Sequence, residues 1–225
     1  MTFGFRILPS PPRPAERLFK AFAALPTSNI SDNMLRHYGS GARLRPYHCG
    51  GTLIGPAFTV KTRPGDNLLT HKAIDMAAPG DVILVDAGGG LDQAIIGEIM
   101  SSHARRRGIA GMIIDGAIRD ADAISASDFP VYACGVTHRG PYKDGPGEIN
   151  VTISIAGMVV NPGDIIVGDA DGVVAIPQVD AERVLALTIA QNEKETAVLA
   201  AIAAGKPIDR SWVDKMLLDK GCTFP

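Results

Sequence analysis

Two runs of sequence give the strongest indication of the fold: VILVDAGGG at residues 82–90 and GMIIDGAIRD at residues 111–120. Each run begins with consecutive apolar residues and ends in glycine or polar residues, a pattern typical of a buried strand followed by a turn. Residues 97–107 between them favour a helix, and the three arginines before Gly108 suit the negative end of a helix dipole and a left-handed cap. The order strand, loop, helix, strand predicts an α/β domain.

Short apolar runs between Gly and Pro residues continue on both sides of this window. They predict strands in TLIGPAFTVKT (52–62), VYACGV (131–136), VTISIAGMVV (151–160), DIIVGD (164–169) and GVVAIP (172–177). Helices are predicted at residues 15–25, at 67–78, at 179–204 and in a short segment ending near residue 38. We therefore expect a compact, β-rich, layered α/β fold with helices outside. We expect a single domain over residues 1–225, with an N-terminal helical arm at 13–25, a core at about 27–205 and a tail at 206–225.

Composition argues against several classes of protein. The chain has 22 Lys and Arg against 24 Asp and Glu, so its net charge of −2 does not favour nucleic acid or an anionic membrane. The N-terminus lacks the apolar core of a secretory signal, and no stretch approaches the roughly 18–20 apolar residues that span a bilayer. Cys49, Cys134 and Cys222 form no CxxC pair, so we expect free thiols in a cytoplasmic protein.

Adjacent arginine and aspartate side chains follow the second decisive strand, at Arg119 and Asp120. A guanidinium group binds carboxylate or enolate oxygens, and a carboxylate is a hard ligand that suits Mg²⁺. The free N–H groups at the start of the helix near Gly97 can hold a small carboxylate or phosphate. The pair is therefore a candidate site for metal-assisted chemistry on an oxo acid, although Arg-Asp neighbours on a surface turn are often merely solvated.

The spacing of Glu98 and Arg119-Asp120, with twenty residues between them, resembles the signature of the RraA-like family, which includes 4-hydroxy-4-methyl-2-oxoglutarate and 4-carboxy-4-hydroxy-2-oxoadipate aldolases. SNISDNM (28–34), PGDVILVDAGGG (79–90), GMIIDGAIRD (111–120) and GMVVNPGDIIVGDADGVVAIP (157–177) agree with this resemblance, which spans roughly residues 27–205. The resemblance implies a fold like the swivelling phosphohistidine β/β/α domains. It also implies a homotrimer or homohexamer with active sites at subunit interfaces, and a metal-dependent aldolase that decarboxylates oxaloacetate.

The resemblance also implies roles for particular residues. Asp120 would hold Mg²⁺ or Mn²⁺, and Arg119 would contact the oxo acid and its developing enolate. Backbone N–H groups would bind the substrate carboxylate at Gly97, Glu98, Ile99 and Met100. Glu98 would also orient metal-bound water or assist proton transfer; the family signature often has Asp at this position, and the longer Glu displaces the charge. Glu195 is the nearest match to a glutamate that a neighbouring subunit contributes.

The chemistry of the implied reaction favours a metal over a Schiff base. Cleavage of a 4-hydroxy-2-oxo acid leaves a pyruvate enolate, whose charge needs a metal ion or a Schiff-base lysine for stabilisation. The lysines nearest in sequence to the Arg119 window are Lys72 and Lys143, and neither lies close to it along the chain.

Two other functions compete with the lyase. The family also includes a non-catalytic regulator that binds and inhibits ribonuclease E. Methyl transfer ranks last, because Gln93 breaks the GxGxxG pattern after VDAGGG and we expect no repeated strand-helix pattern downstream.

Two loops allow more than one interpretation. Residues 137–150 either close over a site, connect elements at the surface or contact another subunit. The carboxylates of GDADG (168–172) favour a tight turn over a metal loop.

Overall fold

The structure, a computed structural model, describes residues 4–223; residues 1–3 and 224–225 of the single-domain prediction lie outside it. The strands are β1 (Phe5–Ile7), β2 (Arg45–Pro46), β3 (Leu53–Thr62), β4 (Val82–Asp86), β5 (Ala94–Ile96), β6 (Gly111–Ile118), β7 (Val131–Val136), β8 (Gly147–Ile149), β9 (Ile153–Ile155), β10 (Met158–Val160), β11 (Ile165–Gly168) and β12 (Val173–Ile176). The helices are α1 (Glu16–Phe22), α2 (Thr27–Asn33), α3 (Leu68–Met76), α4 (Glu98–Arg106), α5 (Ala121–Ser125), α6 (Ala181–Ala203) and α7 (Ser211–Asp219). A 3₁₀ turn at Gln178–Asp180 precedes α6.

The centre of the fold is a parallel sheet in the order β3, β4, β6, β7. Helix α3 connects β3 to β4, β5 and α4 connect β4 to β6, and α5 connects β6 to β7. β8 pairs with β3 in antiparallel fashion, β1 pairs with β8, and β2 lies at the other edge beside β7. The run Val82–Val85 is completely buried, as expected for a parallel strand covered on both faces.

The fold has four layers. Successive side chains of β11 and β12 point to opposite faces and pack in two different hydrophobic clusters. Ile166 and Ala175 pack in the cluster that includes the main sheet and the β9–β10 hairpin. Their neighbours Ile165 and Val174 pack instead against α1, α2 and the start of α6. Helices α3, α4 and α5 cover the opposite face of the main sheet. The α/β prediction with helices outside is confirmed, with the layer order α/β/β/α.

The strand and helix predictions around the decisive window are confirmed, with one difference in topology. The expectation of no repeated strand-helix pattern after VDAGGG was wrong, since β4, α4, β6, α5 and β7 form two consecutive parallel crossover units. Helix α5 has only five residues and β5 only three, which is too short for a periodic sequence signal. The run 151–160 is a hairpin, because Ala156 and Gly157 turn the chain with φ of 48° and 88°.

Residues after Thr188 form a second, smaller compact unit that contains the rest of α6 and α7. Large apolar side chains of this unit are exposed: Val198, Leu199, Ile202, Ile208, Trp212, Met216, Leu217 and Leu218. In residues 4–223, no helix is both long and apolar enough to cross a bilayer.

Candidate active site

A cavity of about 280 Å³ lies where the parallel strands end. Its lining comes from the residues that follow β3, β5, β6 and β7, so the carboxyl ends of four strands contribute to one site. The lining residues are Asn67, His71, Ile95, Ile96, Gly97, Ile99, Met100, Arg119, Asp120, Gly140, Pro141 and Lys143. Five of the sequence-predicted site residues, Gly97, Ile99, Met100, Arg119 and Asp120, are thus brought together.

Gly97 lets two segments approach more closely than any other residue would allow. A Cβ atom added at Gly97 would lie 2.3 Å from Asp120 Oδ2 and 2.9 Å from Arg119 Cγ. The backbone at Gly97 is extended, with φ of −146°, so the glycine is required by space and not by an unusual dihedral angle. The Arg119 N–H donates to the Ile96 carbonyl at 3.0 Å, which fixes the two segments side by side.

Asp120 is held in a left-handed conformation, with φ of 55° and ψ of 40°, at the start of α5. Its Oδ2 accepts the Glu98 N–H at 3.0 Å and lies 3.7 Å from Arg119 Nε. Both side chains keep solvent access, with 43% of Arg119 and 42% of Asp120 exposed. A non-glycine residue in this region is strained, typically by on the order of 1 kcal/mol, and such strain clusters at functional sites.

The N-terminus of α4 points free donors toward the same cavity lining. The Glu98 N–H is already engaged by Asp120, whereas the N–H groups of Ile99 and Met100 have no acceptor within residues 4–223. Ile99 is 81% exposed, whereas Met100 is 8% exposed. Two of the predicted backbone donors are therefore available, and the Glu98 N–H serves to hold Asp120.

The Glu98 side chain is not brought into this group. Glu98 lines a different cavity of about 540 Å³, together with Ser101, Ser102, Arg105 and Ser127 among others. Its proposed role in proton transfer stays a prediction.

Sequence reasoning missed seven of the twelve lining residues, and the polar ones among them are Asn67, His71 and Lys143. Lys143, on the loop after β7, also lines this cavity, so the expectation that no lysine lies near the Arg119 window was wrong for the folded chain.

Burial and the charge of Lys143 lower the pKa of His71. Asn67 is 2% exposed, and its Nδ2 donates to the Ile95 carbonyl at 2.9 Å while its Oδ1 has no partner in the described chain. Asn67, His71 and Lys143 are far from Arg119 in sequence, so the sequence alone does not predict that they line the same cavity.

The buried carboxylate of Asp66 attaches the Lys143 loop to the start of α3. Asp66 is 0% exposed and accepts N–H bonds from Leu68 at 3.0 Å and from Asp144 and Gly145 at 2.8 Å each. Burial alone would raise the pKa of Asp66, but these donors and Arg63 lower it overall. Within residues 137–150, Gly140, Pro141 and Lys143 line the cavity. The expectation of a loop was wrong for Gly147–Ile149, which form β8.

The donor set at Asp120 suits a hydrated Mg²⁺ or Mn²⁺ ion. Among residues 4–223, no group of three His, Cys, Asp or Glu side chains could enclose a metal. Mg²⁺ keeps several waters and is commonly bound through one or two carboxylates plus substrate oxygens. Asp120 is a carboxylate that is partly exposed to solvent, so it fits that mode of binding.

Other candidate residues lie outside this cavity. Asp169 accepts the Thr27 N–H and hydroxyl at 2.9 and 2.7 Å and the Asp171 N–H at 2.9 Å, so GDADG forms the expected tight turn. Glu195 lies in the smaller unit and accepts a hydrogen bond from Gln191 at 2.8 Å. Its contribution to a neighbouring subunit's site stays a prediction.

The glycine loop after β4 is filled by side chains of the chain itself. A Cβ at Gly89 would lie 2.3 Å from the Arg43 guanidinium, and one at Gly90 would lie 2.9 Å from Pro64. Arg43 in turn pairs with Asp115 at 2.7 Å. These glycines make room for packing, and the loop is not an open cradle for a nucleotide.

Comparison with known proteins agrees with this fold and identifies the family. The family model "RraA-like: Aldolase/RraA" matches residues 27–175, and the chain belongs to this family. A curated relative from Halalkalibacterium halodurans, named "Putative 4-hydroxy-4-methyl-2-oxoglutarate aldolase", is 40% identical over 196 residues, which cover 87% of this chain and 93% of the relative.

Solved structures also share the fold, including the following two. The RNA-processing inhibitor RraA from Thermus thermophilis is 27% identical with a TM-score of 0.63, over 68% of this chain and 92% of that one. A protein from Geobacillus kaustophilus HTA426, named as an S-adenosylmethionine:2-dimethylmenaquinone methyltransferase, is 32% identical with a TM-score of 0.63, over 68% of this chain and 94% of that one.

Proposed function

We propose that the protein is a divalent-metal-dependent lyase that cleaves 4-hydroxy-2-oxo acids of the 4-hydroxy-4-methyl-2-oxoglutarate type to pyruvate, and that it also decarboxylates oxaloacetate. The observation that carries the proposal is the single cavity shared by Arg119, Asp120 and the free N–H groups of α4. The name of the Halalkalibacterium relative supports the aldolase activity.

Each of these groups has a distinct task in the proposed reaction. The N–H groups of Ile99 and Met100 bind the substrate carboxylate at the positive end of α4. The Arg119 guanidinium donates to the 2-oxo oxygen as negative charge develops on it during bond cleavage. Asp120 would hold Mg²⁺ or Mn²⁺, which when bound supplies a Lewis acid for the same oxygen.

Lys143 does not suit a Schiff-base mechanism, even though it reaches the cavity. Lysines that form Schiff bases are typically activated by burial in an apolar pocket. Lys143 is exposed to solvent, so it lacks that environment. The metal-dependent route is therefore still the better fit.

The proposed function also includes an oligomeric assembly. We propose a cytoplasmic homotrimer or homohexamer in which Glu195 of a neighbouring subunit joins the site, as the family resemblance implies. The exposed apolar side chains of residues 189–223 are consistent with burial in such an assembly.

The test is pyruvate release from 4-hydroxy-4-methyl-2-oxoglutarate and from oxaloacetate, coupled to lactate dehydrogenase, with Mg²⁺, Mn²⁺ or EDTA. Arg119→Ala should lower kcat by about 10²–10³, the cost of losing one electrostatic contact to a developing oxyanion. Arg45→Ala, an exposed arginine in β2, is the matched control and should keep wild-type activity. Turnover that persists in EDTA, or in Arg119→Ala, would contradict the proposal.

The second candidate function is regulation of ribonuclease E by direct binding. It is supported by the likeness to the Thermus RNA-processing inhibitor RraA. Folded protein that releases no pyruvate with either metal, yet retains ribonuclease E in a pull-down, would favour this function. Methyl transfer has weaker support despite the likeness to the Geobacillus protein, because Arg43 and Pro64 fill the glycine loop.

A further inference from the structure

We propose that Lys143 determines substrate specificity by binding a carboxylate on the half of the substrate that is not released as pyruvate. This inference rests on the proposed function and deepens it. It assigns to the enzyme a preference for 4-hydroxy-2-oxo acids that carry a second carboxylate.

The cavity is lined by more residues than are proposed to bind the 2-oxo acid group of the substrate. Residues from α4 and from the end of β6 provide the groups proposed to hold the carboxylate and the 2-oxo oxygen. Besides Ile95 and Ile96 of β5, the remaining lining comes from Asn67, just before α3, and His71 on α3. The loop after β7 contributes Gly140, Pro141 and Lys143. In this proposal, the atoms beyond the cleaved bond lie beside this second group of residues.

The charges in that space favour an anion. Among the described residues, Asp120 is the only carboxylate in the cavity lining, and Asp120 is assigned to the reacting end. Within residues 4–223, Lys143 forms no ion pair that would neutralise it. His71 has a lowered pKa under the influence of burial, Lys143 and His103, so Lys143 is the principal cation here near neutral pH.

The backbone of Lys143 is positioned before any ligand binds. The Tyr142 N–H donates to the Gly65 carbonyl at 2.8 Å, and the Tyr142 carbonyl accepts the Asn67 N–H at 3.0 Å. On the other side of Lys143, the N–H groups of Asp144 and Gly145 are held by Asp66. Because the residues on both sides of Lys143 are held by hydrogen bonds, less backbone entropy is lost when a ligand binds than for a lysine on a free loop.

The experiment compares two substrates that differ in the second carboxylate: 4-hydroxy-4-methyl-2-oxoglutarate and 4-hydroxy-2-oxopentanoate. Lys143→Met should lower kcat/KM for the diacid by roughly 10- to 100-fold, the usual effect of losing a charged hydrogen bond, with less than about threefold change for the monoacid. Lys143→Arg should recover part of the diacid activity. Lys72→Met, an exposed lysine on α3 outside the cavity lining, is the matched control and should change neither.

Binding of unreactive ligands separates this inference from the proposed function. Calorimetry with 2-oxoglutarate and 2-oxopentanoate should show that the wild type prefers the diacid and that Lys143→Met loses the preference, even if the wild type turns over neither hydroxy acid. Absence of turnover would overturn only the proposed function. An equal loss on both substrates, trapping of substrate on Lys143 by borohydride, or an unchanged diacid preference would overturn the role of Lys143.

Discussion

At the scale of single residues, the site depends on the close contact between Gly97 and the Arg119-Asp120 pair. The glycine has no side chain, so the Glu98 N–H can reach Asp120 Oδ2 and hold the carboxylate beside the cavity. Arg119 and Asp120 are recognisable in the sequence because they are adjacent and follow a strand. The need for a glycine at position 97 becomes evident only from the distances.

Gly97→Ala should disable the site without unfolding the protein. The added methyl group would overlap Asp120 Oδ2, so we expect at least about a 10²-fold loss of kcat, comparable to removal of one preorganised contact. Pyruvate release and thermal unfolding measure the two effects separately. The control is Gly39→Ala, whose Cβ would meet no atom closer than 3.6 Å. Wild-type activity in Gly97→Ala would show that the close contact is dispensable.

At the scale of elements, strands that end at one edge of the sheet gather residues from distant parts of the sequence. β3 leads to Asp66 and Asn67, β6 to Arg119 and β7 to the loop that carries Lys143. Asp66 joins two of these segments through three backbone hydrogen bonds. The site is therefore assembled by parallel topology and then fixed by a buried carboxylate.

Asp66→Asn should destabilise the protein by about 1–3 kcal/mol at pH 7, because an amide NH₂ would face N–H groups that now bind a carboxylate oxygen. The lowered pKa of Asp66 means that the folded state favours the ionised carboxylate. Its contribution to stability is therefore present above about pH 4, near the unfolded pKa, and is lost as the pH falls through the folded value.

Urea unfolding between pH 3 and pH 7 measures this contribution. The difference between the wild type and Asp66→Asn should shrink as the pH falls. Asp92→Asn, at an exposed position, should follow the wild type throughout. A pH-independent difference would show that ionisation of Asp66 is not the cause.

At the scale of the whole molecule, we propose that the site is completed between copies of the chain. Equilibrium ultracentrifugation should give a mass three or six times that of one chain, as expected for cyclic or dihedral symmetry. Exposed apolar residues in 189–223 include Leu199 and Trp212, which would be buried in such an assembly.

Sharing of sites between subunits can be tested by complementation. Arg119→Ala and Glu195→Ala should each lack activity as pure oligomers. Co-expressed, they should recover up to about a quarter of wild-type activity, because a random mixture pairs an intact Arg119 with an intact Glu195 of the neighbour at that frequency. No recovery in verified hybrid oligomers would place both residues in the site of one chain, or remove Glu195 from the site.

The longer strands, most of the helices, the family and the Arg119-Asp120 pair were predictable from the sequence alone. These features depend on local patterns: apolar runs, glycine turns, and residues at fixed spacing within one strand-loop-helix window. Which distant residues line the same cavity is evident only from the tertiary structure. Lys143 lies near Arg119, and Glu98 lines a different cavity, because sheet order and helix orientation control distances that sequence separation does not encode.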